Sequence, residues 1–283
     1  MLFWGATFVS GRVLAQSYHP YSIAFMRFLV AVLFLFPILA YKKNENFKLT
    51  GLQVIKVFIL GMTGIFAYNY FFFGGLKVVE AGKASMIIAT NPVITATIAG
   101  IFLGEGFNLQ KVIGVVIALV GAFTVITEGR PWLILQLGLD QGELLLFGAV
   151  LSWVTYTLVG KIILKKLSPL KATAYACFMG TISLFPFALQ HGLKDMIIQL
   201  SFQEFMHLFY LGFFATVLGF IWFYQGIKEI GAGRAAVFIN LVPLFGVLSG
   251  ALFLGERLAL SLISGGIIVL IGVSLVQRSK HVG

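Results

Sequence analysis

Arg12 and Lys161 are cations set in apolar sequence 149 positions apart, and each follows a tryptophan, Trp4 or Trp153, by eight positions. A cation inside an apolar run can hold a carboxylate or phosphate, or gate one end of a pathway. The alternative is that it reaches back to an aqueous interface along its own aliphatic stem. Asn91 and Thr95 stand one helical turn apart in Asn91-Pro92-Val-Ile-Thr95, and Asn240 comes just before Pro243. A proline within a helix supplies no donor to the carbonyl four residues earlier, here Ile88 and Ile239. Away from water such a carbonyl needs a partner or a wet cavity, so polar groups beside it suit a binding site. The alternative is a packing kink capped by neighbouring hydroxyls. Tyr68 with Asn69, Trp153 with Tyr156, and Trp222 offer rigid apolar walls with one polar end, suited to an amphipathic metabolite. Arg27, in Ala24-Phe-Met-Arg-Phe-Leu29, reads as structural, paired with a loop carboxylate or a helix C-terminus. Catalytic chemistry is not indicated. H-E-x-x-H, G-x-S-x-G and Cys/His clusters are missing, and Gly82-Lys83 lacks the other positions of a phosphate loop. The chain is not expected to be an enzyme, and neither a cofactor nor a metal is called for.

The elements that carry these residues follow from composition. Hydrophobic residues make up 59% of the 283 positions and charged residues 11%, which places the chain among membrane proteins. Apolar runs of about 20 residues, enough to cross the hydrocarbon layer as helices, recur at 2–17, 21–40, 51–73, 84–103, 108–127, 142–160, 170–190, 204–224, 234–253 and 260–277. Residues 2–17 read as part of the body of the protein rather than a cleavable signal peptide; this span is short and contains Arg12, so a few native residues are expected to precede it. With the N-terminus inside, 13 Lys and Arg lie on or near the cytoplasmic side and 5 outside. That bias places both termini in the cytoplasm of a cell-membrane protein. The net charge of +10 is then topological, and no basic soluble patch suits nucleic acid. Cys177 is the single cysteine and can form no intrachain disulfide.

The spans form two copies of one plan. Pro20 and Pro169 lie 149 apart, as do Pro37 and Pro186, while Pro92 and Pro243 lie 151 apart. Residues 75–125 and 226–276 align without gaps with 17 identities in 51 positions, and Phe102-Leu-Gly-Glu105 reappears as Phe253-Leu-Gly-Glu256. The expected fold is all-α, with ten transmembrane helices as two inverted five-helix repeats: 1–127, a loop at 128–141, and 142–283. An odd number of spans per copy turns the second copy over in the membrane, the arrangement of secondary transporters. Glu105 and Glu256 read as turn residues that favour the start of the next helix.

Several of these segments are similar to the EamA family of the drug/metabolite transporter superfamily. They include Trp4-Gly5 with Phe8-Val9, Met26-Arg27-Phe28-Leu29, Ala81-Gly82-Lys83-Ala84-Ser85 through Asn91-Pro92, and Leu103-Gly104-Glu105. In the second half they are Ala232-Gly-Arg-Ala-Ala236, Pro243 and Leu254-Gly255-Glu256. The resemblance covers essentially the whole chain. It implies a central cavity formed by the first, third and fourth helices of each copy, which adds Thr7 and Phe8 to Trp4 on span one. It also implies export of amino acids or related metabolites by alternating access. Lys83 and Arg234 depart from the family's usual small or polar residues. The partners expected are a small-molecule metabolite and the lipid bilayer, with a monomer as the simplest unit. The alternatives are a multidrug or cation exporter, against which the lack of a mid-span carboxylate counts, and a non-transporting scaffold with a filled centre.

Overall fold

The computed structural model describes residues 1–42, 47–91, 93–95, 98, 109–127, 129–130, 140–163, 166–222 and 241–278, and every regular element among them is helical. Two short helices, α1 (Leu2–Gly5) and α2 (Thr7–Ser17), open the chain, followed by α3 (Pro20–Tyr41). Then α4 (Gly51–Leu60) runs through a π-helical stretch, Gly61–Ala67, into α5 (Tyr68–Leu76). After α6 (Ala81–Ile88) come α7 (Leu109–Ile126), α8 (Gln141–Ile163), α9 (Pro169–Gln190) and a short α10 (Leu193–Gln199). A second π-helical stretch, Tyr210–Leu218, continues α11 (Phe202–Phe209), and α12 (Leu241–Leu254) and α13 (Leu260–Arg278) complete the chain.

Five stretches among the described residues are long and apolar enough to cross a membrane: Pro20–Tyr41, Gly51–Leu76, Gln141–Gly160, Pro169–Gln190 and Phe202–Trp222. Val112–Val125, Leu241–Leu254 and Leu260–Val276 are shorter apolar helices. The first expected span is divided at Ala6 into α1 and α2. Of the fourth and ninth, the regular helices described are α6 and α12. Pro92 and its kink, and Asn240, lie outside the described residues. Helix α10 was not expected; it starts behind Gly192, whose φ of 82° suits a residue without a side chain.

The helix starts show why these residues fold as they do. Pro20 and Pro169 occupy the first turns of α3 and α9, where a missing N–H is harmless. Thr50 with Gln53 and Ser201 with Glu204 form reciprocal capping boxes at the heads of α4 and α11, 151 positions apart.

Helices of corresponding spans in the two halves pair with each other, and they run antiparallel. In α3 and α9, Ser22 Oγ donates to His191 O at 3.0 Å, Phe25 meets Phe185 at 5.3 Å between ring centres, and Phe36 meets Tyr175 at 5.6 Å. In α7 and α13, a Cβ on Gly114 would lie 2.8 Å from Gly272 O, and one on Gly121 2.7 Å from Gly265 O. In α6 and α12, Gly82 faces Val247 while Ser85 faces Gly246. The π-helical stretches dock alike: Gly61 sits against Ala176 O, and Gly212 against Arg27 O. Glycine is needed at these crossings because the neighbouring backbone occupies the space of a side chain. Large apolar side chains such as Leu33, Ile55, Leu151 and Leu252 are exposed on the outer faces, as lipid contact requires.

At one end of the α3/α9 pair, His19 stacks on His191 with ring centres 4.4 Å apart and accepts a hydrogen bond from Tyr21 N at Nδ1. Burial pushes its pKa below the ordinary value, and the charges of His191 and Lys77 push the same way. The folded state therefore resists protonation here. The contribution is intact above the unfolded pKa of about 6.5 and is lost as pH falls below it towards the folded value. Acidification from pH 7.5 to 5 should lower the melting temperature more in the wild type than in His19→Asn, which keeps a capping acceptor but cannot titrate. Equal losses would contradict this reading.

Candidate functional site

A cavity of about 100 Å³ lies where the two halves of the chain meet. Trp4, Thr7 and Phe8 reach it from α1 and α2, Tyr68 and Phe72 from α5, and Ser85, Ile88, Ala89 and Asn91 from α6 and the turn after it. Trp153, Phe220, Val242, Pro243 and Leu270 close it from the second half, and Arg27 enters from α3.

Its wall is a chain of aromatic contacts. Trp4 meets Phe220 at 5.7 Å, Phe220 meets Trp153 at 6.1 Å, and Trp153 meets Tyr68 at 5.1 Å between ring centres. Tyr68 stacks on Phe72 at 5.5 Å, and Phe72 meets Phe8 at 5.3 Å. Such edge and offset contacts hold the rings in fixed orientations. Trp4 is anchored further by its indole N–H, which donates to Ala215 O at 2.9 Å in the second π-helical stretch. Ser85 Oγ links the halves by donating to Pro243 O at 3.3 Å.

Polar groups are few. Arg27 is buried; its Nε donates to Thr216 Oγ1 and its Nη1 to Asn69 Oδ1, both at 3.1 Å, and its guanidinium lies 5.1 Å from the Phe28 ring centre. Thr216 Oγ1 in turn donates to Leu211 O at 2.8 Å, and Asn69 Nδ2 donates to Ile65 O at 2.9 Å. Each is a carbonyl inside a π-helical stretch, where the ordinary helical ladder is interrupted. Asn91 Oδ1 is buried with no hydrogen-bond partner. Among the described residues, this cavity offers an aromatic chamber with one cation and one unmet acceptor. None of its described lining residues is arranged as a nucleophile beside a base.

The model of the EamA-like transporter family matches residues 1–127 and 140–278. The chain belongs to that family. The "Uncharacterized transporter YyaM" of Bacillus subtilis is 30% identical over 272 residues, covering 96% of this chain and 89% of its own. An "Uncharacterized transporter" of Archaeoglobus fulgidus is also 30% identical, over 98% and 96% of the two chains. A "Probable terminal-alkyne amino-acid exporter" of Streptantibioticus cattleyicolor is 26% identical over 78% of this chain and 72% of its own. A solved structure titled "Crystal structure of protein" shares the fold, with a TM-score of 0.63, 15% identity and coverage of 97% and 93%. The chain is thus a multi-pass membrane protein of a transporter family whose members span its whole length.

Six of the twelve residues singled out in the sequence meet at the cavity of this EamA-like transporter: Trp4, Thr7, Phe8, Tyr68, Asn91 and Trp153. Asn69 lies behind the wall and orients Arg27. Tyr156 is buried beside Trp153, its ring filling the space a side chain on Gly64 would need. Thr95 is half-buried outside the lining, and Trp222 is 57% exposed, stacked on Phe3. Asn240 is outside the described residues. Arg27, assigned in the sequence to a carboxylate or helix end, instead has two neutral polar partners and lines the cavity. Its signal was present, since an ionisable residue within a span marks a functional position. Phe72, Ser85 and Phe220 carried no comparable mark.

Arg12 is placed at a closure rather than in the cavity. Its Nε lies 3.5 Å from Glu256 Oε1. The same carboxylate accepts hydrogen bonds from Ala81 N at 2.8 Å and Gly82 N at 2.9 Å, capping the N-terminus of α6. Beside it, Lys83 Nζ pairs with Glu143 Oε1 at 2.7 Å, and Glu143 is buried. Lys83, noted in the sequence as a departure from the family's usual small or polar residues, is therefore a contact between halves. Glu256, read as a turn residue, caps a helix 174 residues earlier. One helical turn separates Gly82 from the cavity-lining Ser85, so this charged cluster lies beside the end of the cavity nearest α6's start.

Proposed function

We propose that this chain is a secondary carrier of the cell membrane that exports small organic metabolites, amino acids or their relatives, by alternating access. Its ten spans form two inverted five-helix repeats, 1–127 and 142–283, joined by 128–141, with both termini in the cytoplasm. The observation that carries this reading is the cavity at the seam, lined from both halves and flanked near the start of α6 by contacts that cross between them. The antiparallel pairing of α3 with α9, α6 with α12 and α7 with α13 supports the inversion. The name of the Streptantibioticus relative supports an amino-acid-like cargo.

The rival readings fare less well. Drug-sized pockets measure about 300 Å³ or more, against about 100 Å³ here. Arg27 is the charged side chain among the described lining residues, and it opposes a cationic cargo. A scaffold expects a filled centre, and a cavity weighs against one. Proteoliposomes containing the protein should release preloaded labelled amino acids faster than protein-free vesicles. No acceleration across a broad metabolite panel would contradict the carrier reading.

A further inference from the structure

We propose that Arg27 is the specificity residue of the cavity, binding the carboxylate of a small cargo whose apolar part lies against Tyr68 and Trp153. The inference rests on the cavity's being the cargo site. It goes beyond the carrier reading by naming the residue and the charge it selects.

Arg27 is 7% exposed, and among the described residues its polar partners are the neutral Thr216 and Asn69. These hold Nε and Nη1, and the side chain is among those lining the cavity. An isolated cation at low dielectric is unfavourable, and an entering anion supplies the missing charge. A guanidinium already held by two hydrogen bonds loses little freedom on meeting a carboxylate. Asn91 Oδ1, buried without a partner on another wall, offers an acceptor to an N–H or O–H group elsewhere on the same molecule.

Packing alone does not ask for this arginine. At the 149 spacing Arg27 corresponds to Ala176. The two sites do the same structural work, since Gly212 docks on Arg27 O as Gly61 docks on Ala176 O. Alanine suffices in one half. The arginine side chain in the other half is not needed for that backbone docking, and it lines the cavity.

The test uses the purified full chain in detergent and three ligands that share a phenyl ring: phenylacetate, phenylacetamide and 2-phenylethylamine. Binding is read by titration of tryptophan fluorescence and by thermal shift. Phenylacetate should bind at least about tenfold more tightly than the amide and the amine. Arg27→Gln should abolish that preference by weakening phenylacetate while leaving the amide unchanged, and Arg27→Lys should restore part of it. Should Arg27→Gln fail to fold, the wild-type ranking still decides. Wild-type preference for the amide or amine, failure to bind phenylacetate, or an intact preference in a folded Arg27→Gln would overturn the inference. A carboxylate preference in a protein that moves nothing in proteoliposomes would instead remove the carrier reading and keep the anion site.

Discussion

Glu256→Ala is expected to unseal one end of the cavity. The carboxylate receives two backbone N–H groups at 2.8 and 2.9 Å and stands 3.5 Å from the Arg12 guanidinium. Hydrogen bonds to a charged group contribute about 1.5–3 kcal/mol each. Their loss also leaves the head of α6 uncapped and the charge of Arg12 uncompensated. Because these contacts join the halves, that energy is withdrawn from the closed arrangement and favours opening by about a hundredfold or more. A cysteine in place of Ser85, in a Cys177→Ala background, should react much faster with a membrane-impermeant maleimide once Glu256 is alanine. Glu256→Gln, which keeps an acceptor but not the charge, should fall between. Unchanged labelling in Glu256→Ala would show that the cluster does not seal the cavity.

Gly121→Leu should disrupt the pairing of α7 with α13. A Cβ at this position would stand 2.5 Å from Val269 N and 2.7 Å from Gly265 O, and neither backbone atom can swing aside. The helices must separate, which also parts Gly114 from Gly272 two turns away. Overpacking of this kind costs about 3 kcal/mol or more. The variant should lose monodispersity in size-exclusion chromatography or melt many degrees lower. Gly160→Ala is the control, because the atom nearest its Cβ is Leu60 Cδ2 at 3.9 Å. Alanine there should hold or raise stability through helix propensity. Equal behaviour of the two variants would contradict the close approach.

The features legible in the sequence were those written within one or two helical turns. Pro20 and Pro169 at helix starts, and Thr50 with Gln53, carry their meaning in adjacent residues. The aromatic candidates Trp4, Tyr68 and Trp153 could be chosen because an amphipathic side chain in an apolar span is itself a signal. Partners remote in sequence were not legible. Arg27 bonds Asn69 and Thr216, 42 and 189 positions away, so its setting could not be read from Met26 or Phe28. Glu256 likewise finds α6 across 174 positions, although its Leu-Gly-Glu context points only to a local turn. The two π-helical stretches follow Leu60 and Phe209 without a proline, and the glycines in them and at Gly5 before the division at Ala6 are no different from others in these spans. Each depends on what neighbouring helices press against it.

The inverted arrangement is tested most directly by asking which membrane face each end of the α3/α9 pair occupies. Lys42 follows α3, and Lys194 lies in α10 just beyond α9; both are exposed. Single cysteines at these positions, in a Cys177→Ala background, would be treated with an impermeant maleimide in intact cells. The account expects rapid labelling at 194 and protection at 42 until the cells are opened. Labelling of both from outside, or protection of both, would contradict it.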